Sequence, residues 1–562
     1  MNVRRSGLLV SALLLVAASN GCDSCKKAKD TVDKARKDVV AKVRGIEEAP
    51  APSDLVAELV VKDPEAVAKR AADGMGFGPD VGASPYQKLI DSIDDENVKK
   101  GLRAIDPHGA VAAVVVTRFA PNEKPHGVIA AKLKDPELAT TALAAASKGG
   151  EIKTWDSKIL DSQVYEIGKQ AEIVVYGNMV ILSDARDSIE DAGKYVAWRA
   201  SKGDSLGHDL VLTVPMDKLG PVIQSAGKAA WIAYAPTDPR LRKAIDPLVE
   251  PVLQGIADMG QFLLNVDADS SVIKIDEKLD AKGTFSSWLT AYPAGDASAL
   301  LTMPKGDGTS LGRFPDGLGA PLIGGIDTLL DMTALPPADH AELVKQLGVL
   351  GKSLGHELAS ANKGSGPTSE FFLRFDLKDP KAGKDAMAAI EKVGLKAYVA
   401  AAKGAPAPKV TPYKKFGAEG DSIELPIAAG TSMNLMWAVR GSFLFIGYSN
   451  AAFTLVDPGI DPASTSTFVT DATAKAKVAT FPTKGVISAS FGDTWSFSKT
   501  LVPGMGGATT TPTAPTTPIW SYATAGSEGI RAQGEIPLSF IGDLTRFYMG
   551  LYSMFHAPPP PY

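Results

Sequence analysis

The chain has 562 residues with 45% hydrophobic content, which is enough for two or more domains that each bury a core. Its formal net charge of −5 at pH 7 argues against nucleic acid as a partner. The two cysteines are Cys22 and Cys25, so a body folded from the later residues contains no disulfide.

The N-terminus has the pattern of a secretory leader. Arg4 and Arg5 precede an apolar run from Gly7 to Ala18, which matches the positive region and short apolar core of a signal peptide. A spanning helix needs about 20 apolar residues, and neither this run nor any later one qualifies. We therefore expect residues 1–21 to be a signal peptide and the mature protein to have no transmembrane helix.

A cysteine follows the apolar core directly. The segment Ser19-Asn20-Gly21-Cys22 resembles the lipobox of bacterial lipoproteins, although Ser19 stands where that family usually has leucine. The resemblance implies that Cys22 is acylated after cleavage and becomes the lipid attachment site. Stable anchoring generally takes more than one acyl chain, which a multiply acylated cysteine supplies.

Cys22 and Cys25 also have the C-x-x-C spacing of a redox pair or half a zinc site. A redox motif needs a flanking strand and helix, and zinc needs two more ligands; His108 is the nearest histidine in sequence. The other alternative is an ordinary leader cleaved near Ala17 to Gly21, which leaves a soluble secreted protein with a small N-terminal disulfide.

The segment from Lys26 to Arg44 predicts a charged helix with one narrow apolar stripe. We interpret it as a spacer between the lipid and the body, and residues 22–52 as the lipidated N-terminus with this spacer. The alternative is a helix that lies along anionic headgroups through its lysines and arginines. Ala49–Pro52 is interpreted as a linker.

Two stretches of the body match each other: VIAAKLKDP at Val128–Pro136 and FLRFDLKDP at Phe372–Pro380. In each, an apolar strand runs into K-D-P. The aspartate can cap a helix, and the proline suits the first helical position because the amide it lacks would be unpaired there. Helices of similar length are therefore expected after both, ending at Gly149 and Gly394.

The similarity continues downstream of both helices. Val174–Ile181 and Ala438–Phe445 are β-rich runs interrupted at Gly177 and Gly441, as in hairpins, and a short strand precedes each. A terminal hairpin is expected in both copies. The predicted strands are Ser271–Glu277 with Leu279–Phe285 in the first copy and Ser521–Ala525 with Gly529–Ile536 in the second.

This order of elements predicts an α+β fold with two similar units. The first copy is assigned to residues 53–292 and the second to 293–557, with a Pro-rich tail at 558–562. Each copy is expected to form an antiparallel sheet with helices packed on one face; one continuous sheet shared by both is the alternative. K-D-P also occurs at Lys62–Pro64, outside the repeat, so the order of elements carries the prediction.

The same order resembles a family of uncharacterised bacterial exported proteins that bear a domain of unknown function. The resemblance covers most of Ser53–Ile541. It implies export and an envelope location, and it implies no catalytic residue.

Ser310 lies in Gly308-Thr309-Ser310-Leu311-Gly312, which matches the G-x-S-x-G elbow of serine hydrolases, with His340 and His356 as candidate bases. That elbow needs a strand before the serine and a helix after it. The following residues, from Arg313 to Gly319, are too rich in glycine and proline to begin a packed helix. A serine hydrolase therefore remains the third hypothesis, and no catalytic residue is assigned.

Other candidates for chemistry are weaker. Ser496 and Lys499 form S-x-x-K without its partner motifs, and Asp267 and Asp269 lack the rest of a calcium loop. No metal site and no cofactor are predicted. The residues considered as metal ligands are the acidic cluster Asp91, Asp94, Asp95 and Glu96, and the histidines His108, His126, His208, His340, His356 and His556.

An aromatic helical stripe runs from Phe540 to Phe555 at the C-terminus. We interpret it as a helix that closes the second core; the alternative is a helix that contacts a partner or lipid.

The sequence therefore favours a non-enzymatic lipoprotein, anchored to a membrane in the cell envelope and facing the periplasm or the exterior. Its body is expected to be a binding or assembly module for another envelope protein. The alternative is a carrier of lipid or another hydrophobic ligand. A large apolar cavity would favour the carrier, and an exposed apolar patch without such a cavity would favour the module.

Overall fold

A computed structural model describes residues 46–76, 103–117, 125–147, 152–167, 171–235, 237, 239–315, 335–364, 369–401, 406–428, 431–450, 453–461, 463–492 and 518–542. The described residues fall into two compact units. The first comprises those up to Leu219, Gln261–Asp276, and Ile541 and Gly542; the second comprises those in Gly220–Gly260 and Glu277–Phe540. The predicted signal peptide, Cys22, Cys25 and the spacer lie outside the described residues.

Antiparallel strands form the sheet of the first unit. Their hydrogen-bonded order is β4-β5-β6-β7-β3-β2-β1-β8-β9. The strands are β1 (Leu55–Val61), β2 (Val111–Val116), β3 (His126–Lys132), β4 (Ile152–Ser157), β5 (Ser162–Ile167), β6 (Ala171–Tyr176), β7 (Met179–Ser183), β8 (Leu210–Pro215) and β9 (Met259–Ala268).

Helices cover both faces of this sheet. The helices are α1 (Pro64–Gly74), α2 (Pro136–Ser147) and α3 (Arg186–Lys202), with a 3₁₀ turn at Gly203–Ser205. Ala130 and Ile181 belong to a core with residues of α3, whereas their neighbours Ala131 and Val180 belong to a second core with residues of α2. The prediction of helices on one face is therefore wrong here. All five residues of β7 are buried, because a central strand covered on both faces is apolar on both.

The second unit is also a mixture of helices and antiparallel strands. Its strand order is β14-β15-β16-β17-β13-β12-β11-β18-β19-β20. The strands are β10 (Val272–Ala281, in this unit from Glu277), β11 (Gly308–Arg313), β12 (Leu354–Lys363), β13 (Glu370–Leu377), β14 (Lys409–Lys415), β15 (Ala418–Ala428), β16 (Thr431–Arg440), β17 (Phe443–Ser449), β18 (Val486–Gly492), β19 (Ile519–Gly526) and β20 (Gly529–Pro537).

Two cores on opposite faces hold this unit together as well. Met436 and Phe445 lie in the larger core, while their neighbours Trp437 and Leu444 lie in a core with residues of α7 and α8. The helices are α4 (Met216–Tyr234, in this unit from Gly220), α5 (Pro239–Ala257), α6 (Gly283–Thr290), α7 (Pro337–Ser353), α8 (Pro380–Ala401), α9 (Val456–Ile460) and α10 (Ala472–Val478), with 3₁₀ turns at Ser298–Thr302 and Phe468–Thr470.

The K-D-P prediction is confirmed. The Asp135 carboxylate accepts the amide of Leu138 at 2.8 Å, and that of Asp379 accepts the amide of Ala382 at 2.9 Å. Asp63 does the same for Ala66 at 2.9 Å. The third K-D-P thus also joins a strand to a helix, and in all three the proline begins the helix at a position that needs no amide.

The glycine hairpins are also confirmed. Gly177 joins β6 to β7 with φ +59°, and Gly441 joins β16 to β17 with φ +55°. These left-handed conformations favour glycine because it has no Cβ. The terminal hairpin predicted in the second copy is present as β19 and β20.

Two boundary predictions are wrong. Helix α8 continues through Gly394 to Ala401, because its last turns are held by buried Val393 and by the Tyr398 hydroxyl, which donates to the Pro426 carbonyl. Within residues 53–292, the turn predicted near Lys278 lies inside β10, and Gly283 begins α6. The actual turn is at Asp269, whose carboxylate accepts the amides of Ser271 and Val272.

Candidate functional site

Ser310 is placed where a nucleophile elbow cannot form. It lies in the middle of β11, which pairs with β12 on one side and β18 on the other, and no helix begins at the serine. Its hydroxyl is 2.7 Å from that of Ser360. His356 lies on β12 with Nδ1 3.1 Å from the Phe314 carbonyl oxygen, and His340 lies in α7. The structure therefore does not assemble the hydrolase motif around Ser310.

Candidate metal ligands have local structural roles. Asp267 lies 2.8 Å from His208 Nδ1 and accepts the amide of Asp209, while Asp269 fixes the β9–β10 turn. The amides of Val272 and Ser271 lower the pKa of Asp269 to about 2. In the part of the chain that the structure describes, no group of three histidine, cysteine or acidic side chains could hold a metal ion.

Several sequence candidates lie outside the described residues. These are Cys22 and Cys25, the cluster Asp91 to Glu96, Ser496 with Lys499, His556, and the aromatic stripe beyond Gly542.

Buried charges form structural networks. In the first unit, Glu58 on β1 accepts hydrogen bonds from Arg199 and Tyr195, which lie one turn apart on α3. In the second unit, Glu357 lies between Arg313 at 2.9 Å and Arg374 at 3.3 Å on adjacent strands. Burial lowers the pKa of Arg374, and the Glu357 carboxylate opposes that shift. These partners satisfy one another's charges and hydrogen bonds, so removing one of them would leave another uncompensated.

The most conspicuous surface of the second unit is on α4. Between Gly220 and Tyr234 this helix exposes apolar side chains on more than half of its circumference; Ile232 is 78% exposed and Tyr234 is 86% exposed. Lys228 is the one charged residue in that span. We call this surface the α4 apolar face, consisting of Val222, Ile223, Ala226, Ala229, Ala230, Ile232, Ala233 and Tyr234.

The packing of α4 on α5 explains why this face points outward. A Cβ at Gly227 would lie 2.6 Å from a Leu253 methyl, and one at Gly220 would lie 2.5 Å from the Ile256 carbonyl oxygen, so both glycines permit close approach. The polar groups of α4 also turn toward α5. The polar pairs are Gln224 with Gln254 (3.0 Å), Lys228 with Glu250 (2.8 Å) and Trp231 with Asp246 (2.8 Å).

A cavity of about 530 Å³ lies elsewhere in the second unit, at the turn end of the β19–β20 hairpin. Its lining is rich in polar side chains, including Lys278, Lys484, Arg531 and Gln533. Such a lining differs from the apolar interior expected of a carrier for lipids.

No helix among the described residues is long and apolar enough to cross a membrane.

Neither the α4 apolar face nor the cavity was predicted from the sequence. A signal for α4 was present, since Leu219–Tyr234 is apolar on nearly all sides of a helix, which marks a helix that needs more than one contact surface. The cavity has no comparable signal, because Lys278 and Arg531 are distant in sequence and meet only through strand pairing.

Comparison with known proteins gives neither a family nor a curated relative: no family model and no curated protein matches the chain. Solved structures with some similarity include crystal form I of TP0453, which is 10% identical with a TM-score of 0.22 and covers 42% of this chain and 82% of that one. Crystal form III of TP0453 is 9% identical, with the same TM-score and the same coverage.

Proposed function

We propose that this protein is an exported lipoprotein, anchored to a membrane of the cell envelope through Cys22, that acts as a non-enzymatic binding or assembly module. The observation that carries the proposal is the α4 apolar face, which leaves Ile232 and Tyr234 almost fully in water. Clustered exposed apolar side chains of this kind mark interaction surfaces. The leader and the lipobox-like segment before Cys22 support the location.

The partner that best fits the α4 apolar face is a helix of another envelope protein. Ala226, Ala229, Ala230 and Ala233 have small side chains, which let a second helix approach closely, while larger side chains lie toward the helix ends. Helices that bind in this way present apolar anchors at three- and four-residue steps. Close packing against these alanines then buries apolar surface on both sides.

The duplication of the body is part of the proposal, with copies at residues 53–292 and 293–557. The strand orders support it: adding ten to each label in β4-β5-β6-β7-β3-β2-β1-β8-β9 gives the order observed in the second unit from β14 to β19. The K-D-P helices and glycine hairpins occupy equivalent places in both orders.

A photo-crosslinking residue at Ile232 tests the contact in living cells. We expect a covalent adduct with one protein of defined mass, because Ile232 lies on the apolar face and is 78% exposed. The matched control is Lys381 on α8, whose side chain is 89% exposed and paired with Asp385. No protein adduct is expected from the control position.

A charged variant completes this test. Ala226→Glu with Ala229→Glu is expected to reduce the adduct and co-purification of the same protein at least about tenfold, since burying unpaired carboxylates at an interface is costly. Thermal unfolding should change little, because both positions are exposed. Adducts with lipid alone, with a second copy alone, or with a protein whose capture survives the charged variant would each contradict this contact.

A further inference from the structure

The cavity of about 530 Å³ at the end of the β19–β20 hairpin has a charge opposite to that of the chain. Lys278, Lys484 and Arg531 line it together with a single carboxylate, Glu528, whereas the whole chain has a formal net charge of −5. A concave surface lined by one sign of charge concentrates ligands of the other sign. The lining therefore favours an anion.

Two of these cations are available to a ligand. The Lys278 ammonium is held 2.8 Å from the Asp280 carboxylate. Lys484 and Arg531 are exposed, and within the described residues neither forms an ion pair with a carboxylate. Because neither cation is paired with a carboxylate, both remain able to attract a bound anion.

Gln533, a neutral side chain on the same wall of the cavity, is also arranged as a hydrogen-bond donor. The Tyr522 hydroxyl donates to Gln533 Oε1 at 2.6 Å, which orients the carboxamide and leaves its NH₂ group to donate. Gln533 and Arg531 point to the same face because they are two residues apart on β20. Apart from Glu528, the charged and amide groups here are therefore hydrogen-bond donors.

We infer that this cavity binds a small phosphate-bearing organic molecule. Arginine matches the oxygens of a phosphate through paired hydrogen bonds, and lysine adds a second positive charge. The volume lies in the range of small-molecule sites, so the cavity has room for an organic group beside the phosphate. Tyr522 and Leu279 provide apolar wall for that group. The phosphate can belong to a soluble metabolite or to a phospholipid headgroup.

Calorimetric titration of the mature chain with glycerol 3-phosphate tests whether the phosphate belongs to a soluble metabolite. Cys22→Ser removes the acyl chains without altering the cavity. We expect saturable binding that weakens as salt rises, and at least about tenfold weaker binding after Lys484→Gln with Arg531→Gln. The charge-matched control is Lys345→Gln with Lys381→Gln, two exposed lysines on α7 and α8, which should leave binding unchanged.

Sedimentation with vesicles tests whether the phosphate belongs to a phospholipid headgroup. We call Lys484→Gln with Arg531→Gln the cavity pair and Lys345→Gln with Lys381→Gln the control pair. If phosphatidylglycerol vesicles bind the protein with the control pair but not the protein with the cavity pair, and neutral phosphatidylcholine vesicles bind neither protein, the ligand is a lipid headgroup. The α4 variant Ala226→Glu with Ala229→Glu should bind the phosphate probe normally, so this inference and the proposed α4 contact fail separately. Absence of binding by both probes, or equal binding by the cavity pair and the control pair, would overturn the inference.

Discussion

Glu58→Ala is expected to lower the free energy of unfolding by about 3–5 kcal/mol, since removing one partner of a buried ion pair leaves the other charge uncompensated. Glu58 is 3% exposed and receives the Arg199 Nε–H at 2.8 Å and the Tyr195 hydroxyl. Burial, together with this hydrogen bond, raises the pKa of Tyr195. The variant leaves both donors on α3 without their carboxylate acceptor. Urea denaturation of the full chain measures the resulting loss in the free energy of unfolding.

An exposed ion pair in the same unit provides the control. Lys132 lies 2.9 Å from Asp204, but both side chains are substantially exposed to water. Asp204→Ala should therefore cost no more than about 1 kcal/mol, as surface pairs do. Equal destabilisation by Glu58→Ala and Asp204→Ala would show that the Glu58 network is not the buried link between β1 and α3 that the structure describes.

Phe372→Ala is expected to destabilise the second unit by about 3–5 kcal/mol, the range for removing a buried phenylalanine side chain. Phe372 on β13 is fully buried, with its ring centroid 5.9 Å from that of Phe445. A Cβ at Gly459 would lie 2.4 Å from the Phe372 ring, so a glycine makes room for this side chain. The alanine variant leaves a cavity that rigid strands cannot close. Urea denaturation followed by tryptophan fluorescence measures the effect.

The preceding residue is a matched control of the same type. Phe371 lies on the opposite face of β13 and is 48% exposed, so Phe371→Ala should cost about 1 kcal/mol or less. Phe372→Leu, which keeps most of the volume, should lie between the two if the alanine variant does not fold. A larger loss from Phe371→Ala than from Phe372→Ala would contradict the side-chain alternation of β13 and the core built on it.

Local chemistry made some elements predictable. A K-D-P aspartate needs only the amide three residues ahead, and the glycine hairpins need only a left-handed residue between two strands. Both signals are complete within a few residues. The K-D-P helix starts and the glycine hairpins could therefore be predicted without knowing what packs against them.

Features that depend on distant packing were not predictable. The short apolar run of β7 does not reveal whether one face or two are covered, so the helices on the second face were missed. Gly394 looked like a helix end, but contacts of the following turn with Pro426 extend the helix. The cavity combines Lys278 with Lys484 and Arg531, residues that no sequence spacing connects.

The lipid on Cys22 is the central claim, because both the location of the module and the kind of partner available to it depend on it. Intact-mass analysis of the protein extracted from membranes tests this directly. We predict a mature chain that begins at Cys22 and carries the added mass of more than one acyl chain. A chain that begins at Asn20, or an unmodified Cys22 at the N-terminus, would contradict it.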